Sequence, residues 1–236
     1  FNKLIKSRYF KKLVVISQAL KSIYLENKYL DNSLIQVAHD GADEVENFND
    51  KIKLLGPKDH LKVGYVGHLY EGRGIEIIIE CAKKINNMSF HLVGGLEKDI
   101  AYWQNYIEQL KLSNVYFYGF VSPKETSRYR NSFDIVLAPY ANKVTIEGYG
   151  DTSKFMSPIK IFEYMSHKKV IIASDLPVIR EVLNEKNSIL VNYENIELWI
   201  KAIKDLEYSN NKDHLSKQAL IDFKKFTWKN RAHLVI

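Results

Sequence analysis

Short β-branched runs recur along this chain, each closed by glycine, proline or a polar turn and followed by a stretch with apolar residues at helical spacing. From residue 61 the strand signals fall at 61–66, 89–93, 115–118, 134–138, 169–173 and 188–192. Between them, Ile75, Ile78, Ile79, Ala82 and Ile85 mark one face of a helix near 74–86. Ile100, Trp103, Ile107 and Leu110 mark another at about 98–111. Further helices are expected after Pro123, from Ser157–Pro158, after Pro177 and from about 211 to the end. Upstream, "LVVIS" (13–17) and "SLIQV" (33–37) read as strands with a helix to Lys28 between them, and the polar stretch 38–60 as a linker or long loop. Alternation of this kind predicts an α/β fold, a Rossmann-like parallel sheet with helices on both faces. Ligands of such sheets bind outside the carboxyl ends of the strands. That rule selects the loops 67–73, 94–97, 119–123, 139–157 and 174–177.

The 236 residues are 46% hydrophobic and 12% aromatic, enough for a sizeable core and too apolar for global disorder. No apolar run reaches the length of a membrane span. A chain opening on Phe1 is expected to lack its natural start, and with it any targeting segment. The single cysteine, Cys81, lies on the apolar side of a predicted helix and reads as a small core residue, which fits a reducing, cytoplasmic setting. The net charge of +6 favours anionic partners. Lys3, Lys6, Arg8, Lys11, Lys12, Lys21 and Lys28 make the first thirty residues basic. A solvated face is the plain reading; a peripheral contact with the inner face of a membrane is the second. Scattered cations without interleaved aromatics argue against nucleic acid.

The segment "VGYVGHLYEGRGIE" (63–76) poses a choice. Gly67 and Gly72 have Walker A spacing, but Arg73 stands where the lysine belongs and Gly74 where a Ser/Thr hydroxyl should meet Mg²⁺. The dinucleotide pattern G-x-G-x-x-G is absent from this turn. A bare structural turn is one remaining reading. The other is an anion cradle in which glycines admit the ligand, a helix N-terminus faces it, Arg73 offers a guanidinium fork and His68 a further donor.

A second cradle is expected in "SPIKIFEYM" (157–165), with Ser157 as N-cap and Pro158 as first helical residue. Proline has no N–H, so the free donors of the first turn are Ile159 and Lys160. Glu163 follows on the same face, placed to accept two hydrogen bonds from a ribose diol, or to be a plain surface glutamate. The Lys160 side chain either touches phosphate or flanks the pocket. His39, His91 and His167 read as loop or surface residues.

The two cradles, in this order, resemble the C-terminal half of GT-B glycosyltransferases of the large retaining group called family 4. The likeness extends through "VVISQALKSIYL" (14–25), "FHLVGG" (90–95), "NVYFYGFVSPKE" (114–125), "FDIVLAPY" (133–140), "SPIKIFEYMSHKKVIIASDLPVIREVL" (157–183) and "FTWKNRA" (226–232), and 157–183 is its most specific piece. The resemblance implies a diphosphate site at Gly67, His68, Arg73, Ile159 and Lys160, with His68 and Arg73 both departing from the family's usual residues. It implies ribose binding by Glu163 and a backbone contact of Val121 with the base. The first glutamate of the family's E-x7-E motif falls on Phe155, which cannot replace it; Asp151 is the candidate for a donor-sugar hydroxyl, with Glu147 as alternative. No catalytic residue is assigned.

It further implies that 1–37 are terminal elements of an otherwise missing N-terminal domain, 38–60 a linker, 61–210 the nucleotide-sugar-binding domain and 211–236 a helix returning toward the N-terminal domain. The expected donor is a UDP- or GDP-sugar, used without metal or cofactor, with transfer to an acceptor hydroxyl and retention of configuration. The competing readings are a non-catalytic nucleotide-sugar-binding module and an epimerase of the same architecture.

Overall fold

Apolar residues at every position of a strand require cover on both faces of the sheet. The computed structural model, which describes residues 1–146 and 150–236, shows how that cover is arranged. Six strands form one parallel sheet: β3 (Leu61–Val66), β4 (Met88–Val93), β5 (Val115–Phe117), β6 (Ile135–Ala138), β9 (Val170–Ser174) and β10 (Ile189–Val191), in the order β10-β9-β6-β3-β4-β5. All their pairings are parallel. Alternation within the strands sorts side chains between two cores. Ile135, Leu137, Val170 and Ile172 pack on one face with helices α3 (Ile75–Lys84), α4 (Glu97–Gln109) and α7 (Ile196–Tyr208). Val136, Ala138, Ile171 and Ala173 pack on the other with α5 (Pro123–Ser132), α6 (Ile159–Ser166) and α8 (Lys212–Phe223). The apolar stripe of α3 is buried along its length, Cys81 included.

The first elements stand apart from this sheet. They are α1 (Asn2–Ile5), β1 (Leu13–Val15), α2 (Gln18–Glu26) and β2 (Ile35–Val37), and β1 pairs only with β2. Residues 38–60 contain no helix or strand, only a bridge between Ala42 and Thr227. The loop after β6 contains the short strands β7 (Thr145–Ile146) and β8 (Gly150–Asp151), paired antiparallel. Among the described residues, no helix is long and apolar enough to cross a membrane.

Two expected helices differ. After Pro177 there is only a 3₁₀ turn, Ile179–Glu181. The backbone beyond it bonds to side chains: Asn184 N–H donates to Asn187 Oδ1 and Lys186 N–H to Asn184 Oδ1, the local competition that keeps asparagine out of helices. The last helix is broken. A 3₁₀ turn at Lys224–Phe226 follows α8, and Thr227, in extended conformation, accepts from the Asn230 N–H to start α9 (Trp228–Val235) afresh. α9 lies against the 38–42 stretch, where Arg231 donates to the carbonyls of Ala38 and His39.

Gly74 fixes the entry into α3. Its φ is +75°, and a Cβ there would stand 1.7 Å from the Pro139 carbonyl oxygen. Gly74→Ala therefore combines a left-handed alanine with a backbone clash. We expect a loss of about 2–4 kcal/mol, measured by urea unfolding.

Candidate functional site

β3 and β6 pair at only two positions, Val63↔Ile135 and Gly64↔Val136, whereas β6 and β9 pair at four. From β3 the sheet grows one way through β4 and β5, then the other way through β6, β9 and β10. Parallel sheets open a crevice at such a reversal, beyond the carboxyl ends of the strands. The Val66 N–H, at that end of β3, donates to the hydroxyl of Tyr164 on α6 at 2.9 Å. This bond draws the start of α6 to the mouth of the crevice.

The loop after β3 forms one wall. The Tyr65 hydroxyl donates to the His68 carbonyl at 2.6 Å and Trp103 Nε1 to the Leu69 carbonyl at 2.9 Å, so the 67–69 backbone is held from both sides. Gly67 has φ +147°, and a Cβ there would lie 2.9 Å from Lys160 Nζ. The missing side chain is the space through which Lys160 crosses the sheet edge. From α6 on one face, its Nζ reaches the ring of Tyr65, a residue of the opposite core, at 3.8 Å, and lies 5.1 Å from that of Tyr140.

Arg73 approaches the same place from the other wall. Its guanidinium lies 4.7 Å from the Tyr70 ring and 5.6 Å from that of Tyr140, and Nη2 donates to the Tyr70 hydroxyl. Arg73 Nε and Lys160 Nζ are both buried and have no hydrogen-bond partner among the described residues. Burial opposes the Arg73 charge, but the hydroxyls of Tyr140, Tyr70 and Tyr65 outweigh it and its pKa is raised. Burial, then the charge of Arg73, drives the Lys160 pKa well below its ordinary value, with Glu163 opposing. His68 stacks on Tyr70 at 5.2 Å. Burial and the two cations lower its pKa, so it is neutral at pH 7 and brings a donor without charge.

The helix N-terminus forms the third wall, with one correction. Pro158 is the N-cap of α6, and Ser157 does not cap it; the Ser157 hydroxyl accepts from the Asp40 N–H at 2.9 Å. Ile159 and Lys160 remain the free donors: Ile161 N–H already turns back to the Pro158 carbonyl, and neither residue's N–H is paired among the described residues. One turn on, Glu163 forms an ion pair with Arg130 of α5, Nη1 to Oε2 at 3.2 Å. Both line a cleft of about 350 Å³ bounded by Pro123, Lys124, Ile159 and Trp228.

Other sequence candidates are placed differently. The Asp151 Oδ1 accepts from the N–H groups of Val144 and Ser153, at 3.0 and 2.9 Å, so that oxygen braces the loop. Those bonds lower its pKa. Glu147 lies outside the described residues. Phe155 offers its carbonyl to the Ser17 hydroxyl at 2.8 Å. Val121 packs at the edge of the α5–α6 core. His91 and His167 are buried, not at the surface as the sequence suggested. His91, in β4, bonds Tyr118 and Ser89, and His167, at the end of α6, bonds Ser127 Oγ and the Glu163 carbonyl. Desolvation pushes each down to about 3, so both are neutral packing elements. Sequence reasoning missed Tyr65, Tyr70, Tyr140 and Arg130. Only their positions, at strand ends or beside a glycine turn for the tyrosines, offered a signal.

Residues 60–207, more than half of the chain, match the family described as "Glycosyl transferases group 1". The chain belongs to this family. A relative named "Putative teichuronic acid biosynthesis glycosyltransferase TuaH", from Bacillus subtilis strain 168, is 25% identical over 126 residues, 52% of this chain and 29% of its own length. Among solved structures, a glycosyltransferase from Rickettsia africae ESF-5 superposes with a TM-score of 0.77 at 17% identity, over 99% of this chain and 64% of its own. Anabaena Alr3699/HepE, solved in complex with UDP and glucose, gives 0.75 at 17% identity over 95% and 61%. The architecture of this group 1 domain is thus that of GT-B glycosyltransferases, and the chain spans less than two thirds of the length of any of these three.

In this group 1 domain Lys160 carries a measurable signature. Between its lowered folded pKa and the ordinary 10.5, the unfolded chain holds a proton that the folded one has lost. Stability then rises with pH across that window. Lys160→Met removes this contribution. Urea unfolding from pH 7 to 9 should show a smaller rise in the variant than in the wild type; Lys169, lowered to about 8, contributes equally to both.

Proposed function

We propose that this group 1 domain binds a nucleoside-diphosphate sugar and serves as the donor half of a glycosyltransferase that passes the sugar to an acceptor hydroxyl with retained configuration. One observation carries the reading: Arg73 and Lys160, two cations without hydrogen-bonded anionic partners among the described residues, meet two N–H groups of α6 that are likewise unpaired among them, at the switch point of the sheet. A diphosphate fits that chemistry. It brings negative charge to a place where these two N–H groups of a helix start lie beside two buried cations. The ribose of the same molecule then falls one helical turn further on, where the Glu163 carboxylate is available as acceptor.

The reaction needs charge stabilised on the leaving diphosphate as the bond to the anomeric carbon breaks. Arg73, the neutral His68 and the start of α6 supply that stabilisation with the protein's own groups, which supports a metal-independent mechanism. Lys160 adds a second donor beside them. The donor base is uracil or guanine in this reading, met by the backbone around Val121. Asp151, with one oxygen free of the loop brace, is the donor-sugar candidate.

A second reading is favoured by Phe155. An apolar residue stands where the resemblance places a glutamate, and its carbonyl is engaged with Ser17. A nucleotide-sugar-binding module without transfer activity accounts for that. Calorimetric titration with UDP, GDP and ADP tests what the two readings share. We expect one nucleotide to bind, and Arg73→Ala and Glu163→Ala each to weaken it by about 1–3 kcal/mol with the fold intact by circular dichroism. Absence of binding to the folded wild type would overturn the donor-site reading. Sugar release from the matching nucleotide sugar, in a longer chain that includes an upstream domain, separates transferase from module.

A further inference from the structure

Arg130 is a costly residue to place where it is. It sits in the last turn of α5 with its side chain 6% exposed, and its Nε has no hydrogen-bond partner among the described residues. A buried guanidinium that only braced two helices would be expected to use its fork fully, since each unsatisfied N–H carries a desolvation penalty. Among the described residues its one ionic contact is Nη1 to Glu163 Oε2 at 3.2 Å. Its surroundings explain why that partner stays in place. His167 is locked by Ser127 Oγ and the Glu163 carbonyl, at 2.9 and 2.6 Å, which ties the two helices together directly behind the ion pair.

The pair opens on the cleft between α5, α6 and residues 42–50. Glu163 is partly exposed there, and its second oxygen, Oε1, makes no hydrogen bond among the described residues. A glutamate on a helix has three rotatable side-chain bonds and loses that freedom on gripping a ligand. Held by Arg130, it has lost much of it beforehand. Recognition of a vicinal diol needs an ionised carboxylate, accepting only, in a fixed orientation.

We propose that Arg130 is a positioning residue that presets the Glu163 carboxylate to accept from the ribose hydroxyls of the bound nucleotide, and so sets the preference of the site for ribose over deoxyribose. This rests on the donor-site reading above. Arg130 itself touches no reacting atom.

The test compares UDP with 2′-deoxy-UDP, and GDP with 2′-deoxy-GDP, by calorimetry on wild type, Arg130→Met, Arg130→Lys and Glu163→Gln, with folding checked by circular dichroism. The wild type should prefer the ribonucleotide about tenfold, the size of one charge-assisted hydrogen bond. Arg130→Met should lose about tenfold for the ribonucleotide and clearly less for its 2′-deoxy counterpart, which keeps only the 3′-hydroxyl, and Arg130→Lys should recover part of the preference. If Arg130→Met weakens both nucleotides alike, or keeps the full preference while lowering Tm, Arg130 is a helix brace and the proposal falls. If Glu163→Gln keeps the preference, the ribose assignment of Glu163 fails, whatever Arg130 does. If folded wild type binds neither nucleotide, the donor-site reading fails and this inference with it.

Discussion

Two cations share one tyrosine ring. Lys160 and Arg73 both lie over Tyr140, and among the described residues neither has a carboxylate in hydrogen-bond contact. Like charges brought together and desolvated raise the free energy of the folded chain. The protein meets part of that cost with aromatic faces, whose negative quadrupoles attract both groups, and the remainder shows as a Lys160 pKa driven down by burial and by the Arg73 charge. What remains is a standing demand for an anion. The local sequence serves that arrangement: glycine at 67 to admit the lysine, glycine at 74 to turn the chain beneath Pro139, and Tyr164 to bring α6 within reach.

The sheet supplies the place. Where β3 and β6 part after two paired positions, backbone groups at the strand ends leave the ladder and turn to loops and side chains. Gly67 N–H donates to the Val93 carbonyl and Gly94 N–H to the Gly119 carbonyl, so three successive loops are fastened edge to edge across the carboxyl ends of β3, β4 and β5. The diphosphate reading therefore depends on a rigid rim: the side chains that meet the ligand extend from backbone that is already bonded to its neighbours. Rigid presentation of this sort lets hydrogen-bond donors act without reorganisation cost.

How much of this was legible in the sequence follows from how local each signal is. The strands and the α3 stripe were readable because burial on both faces writes an apolar run and a helical period into contiguous residues. Gly67, Arg73 and Lys160 stand out in the sequence because glycine turns and helix starts are short patterns, and the structure brings the three to one place. The cap of α6 was misplaced by one residue because Ser157 has a long-range partner, the Asp40 N–H, which no local pattern reveals. The 3₁₀ turn after Pro177 is a similar case, since Glu181 accepts from the N–H groups of Gln18 and Ala19 at the start of α2. Arg130 was invisible for the same reason. On α5 it looks like one more charge on a polar helix, and only the crossing of α6 shows that it faces Glu163. His91 and His167 became core residues through partners 27 and 40 positions away.

That division between local and distant signals also bears on what this group 1 domain could contribute under the proposed donor-site reading. Groups that hold a diphosphate in both ground and transition states strengthen binding without speeding the bond-breaking step. To favour the transition state, a group must gain interaction as negative charge grows on the leaving oxygen. Lys160 suits that task on the donor-site reading: its proton affinity is lowered in the folded chain, and a growing negative charge nearby would raise it. Arg73, whose pKa is raised and whose charge is constant, suits the opposite task of holding the ground state. On the donor-site reading proposed above, the two cations that share the Tyr140 ring are thus not interchangeable: their difference in basicity suits Arg73 to capture of the donor and Lys160 to stabilising its departure.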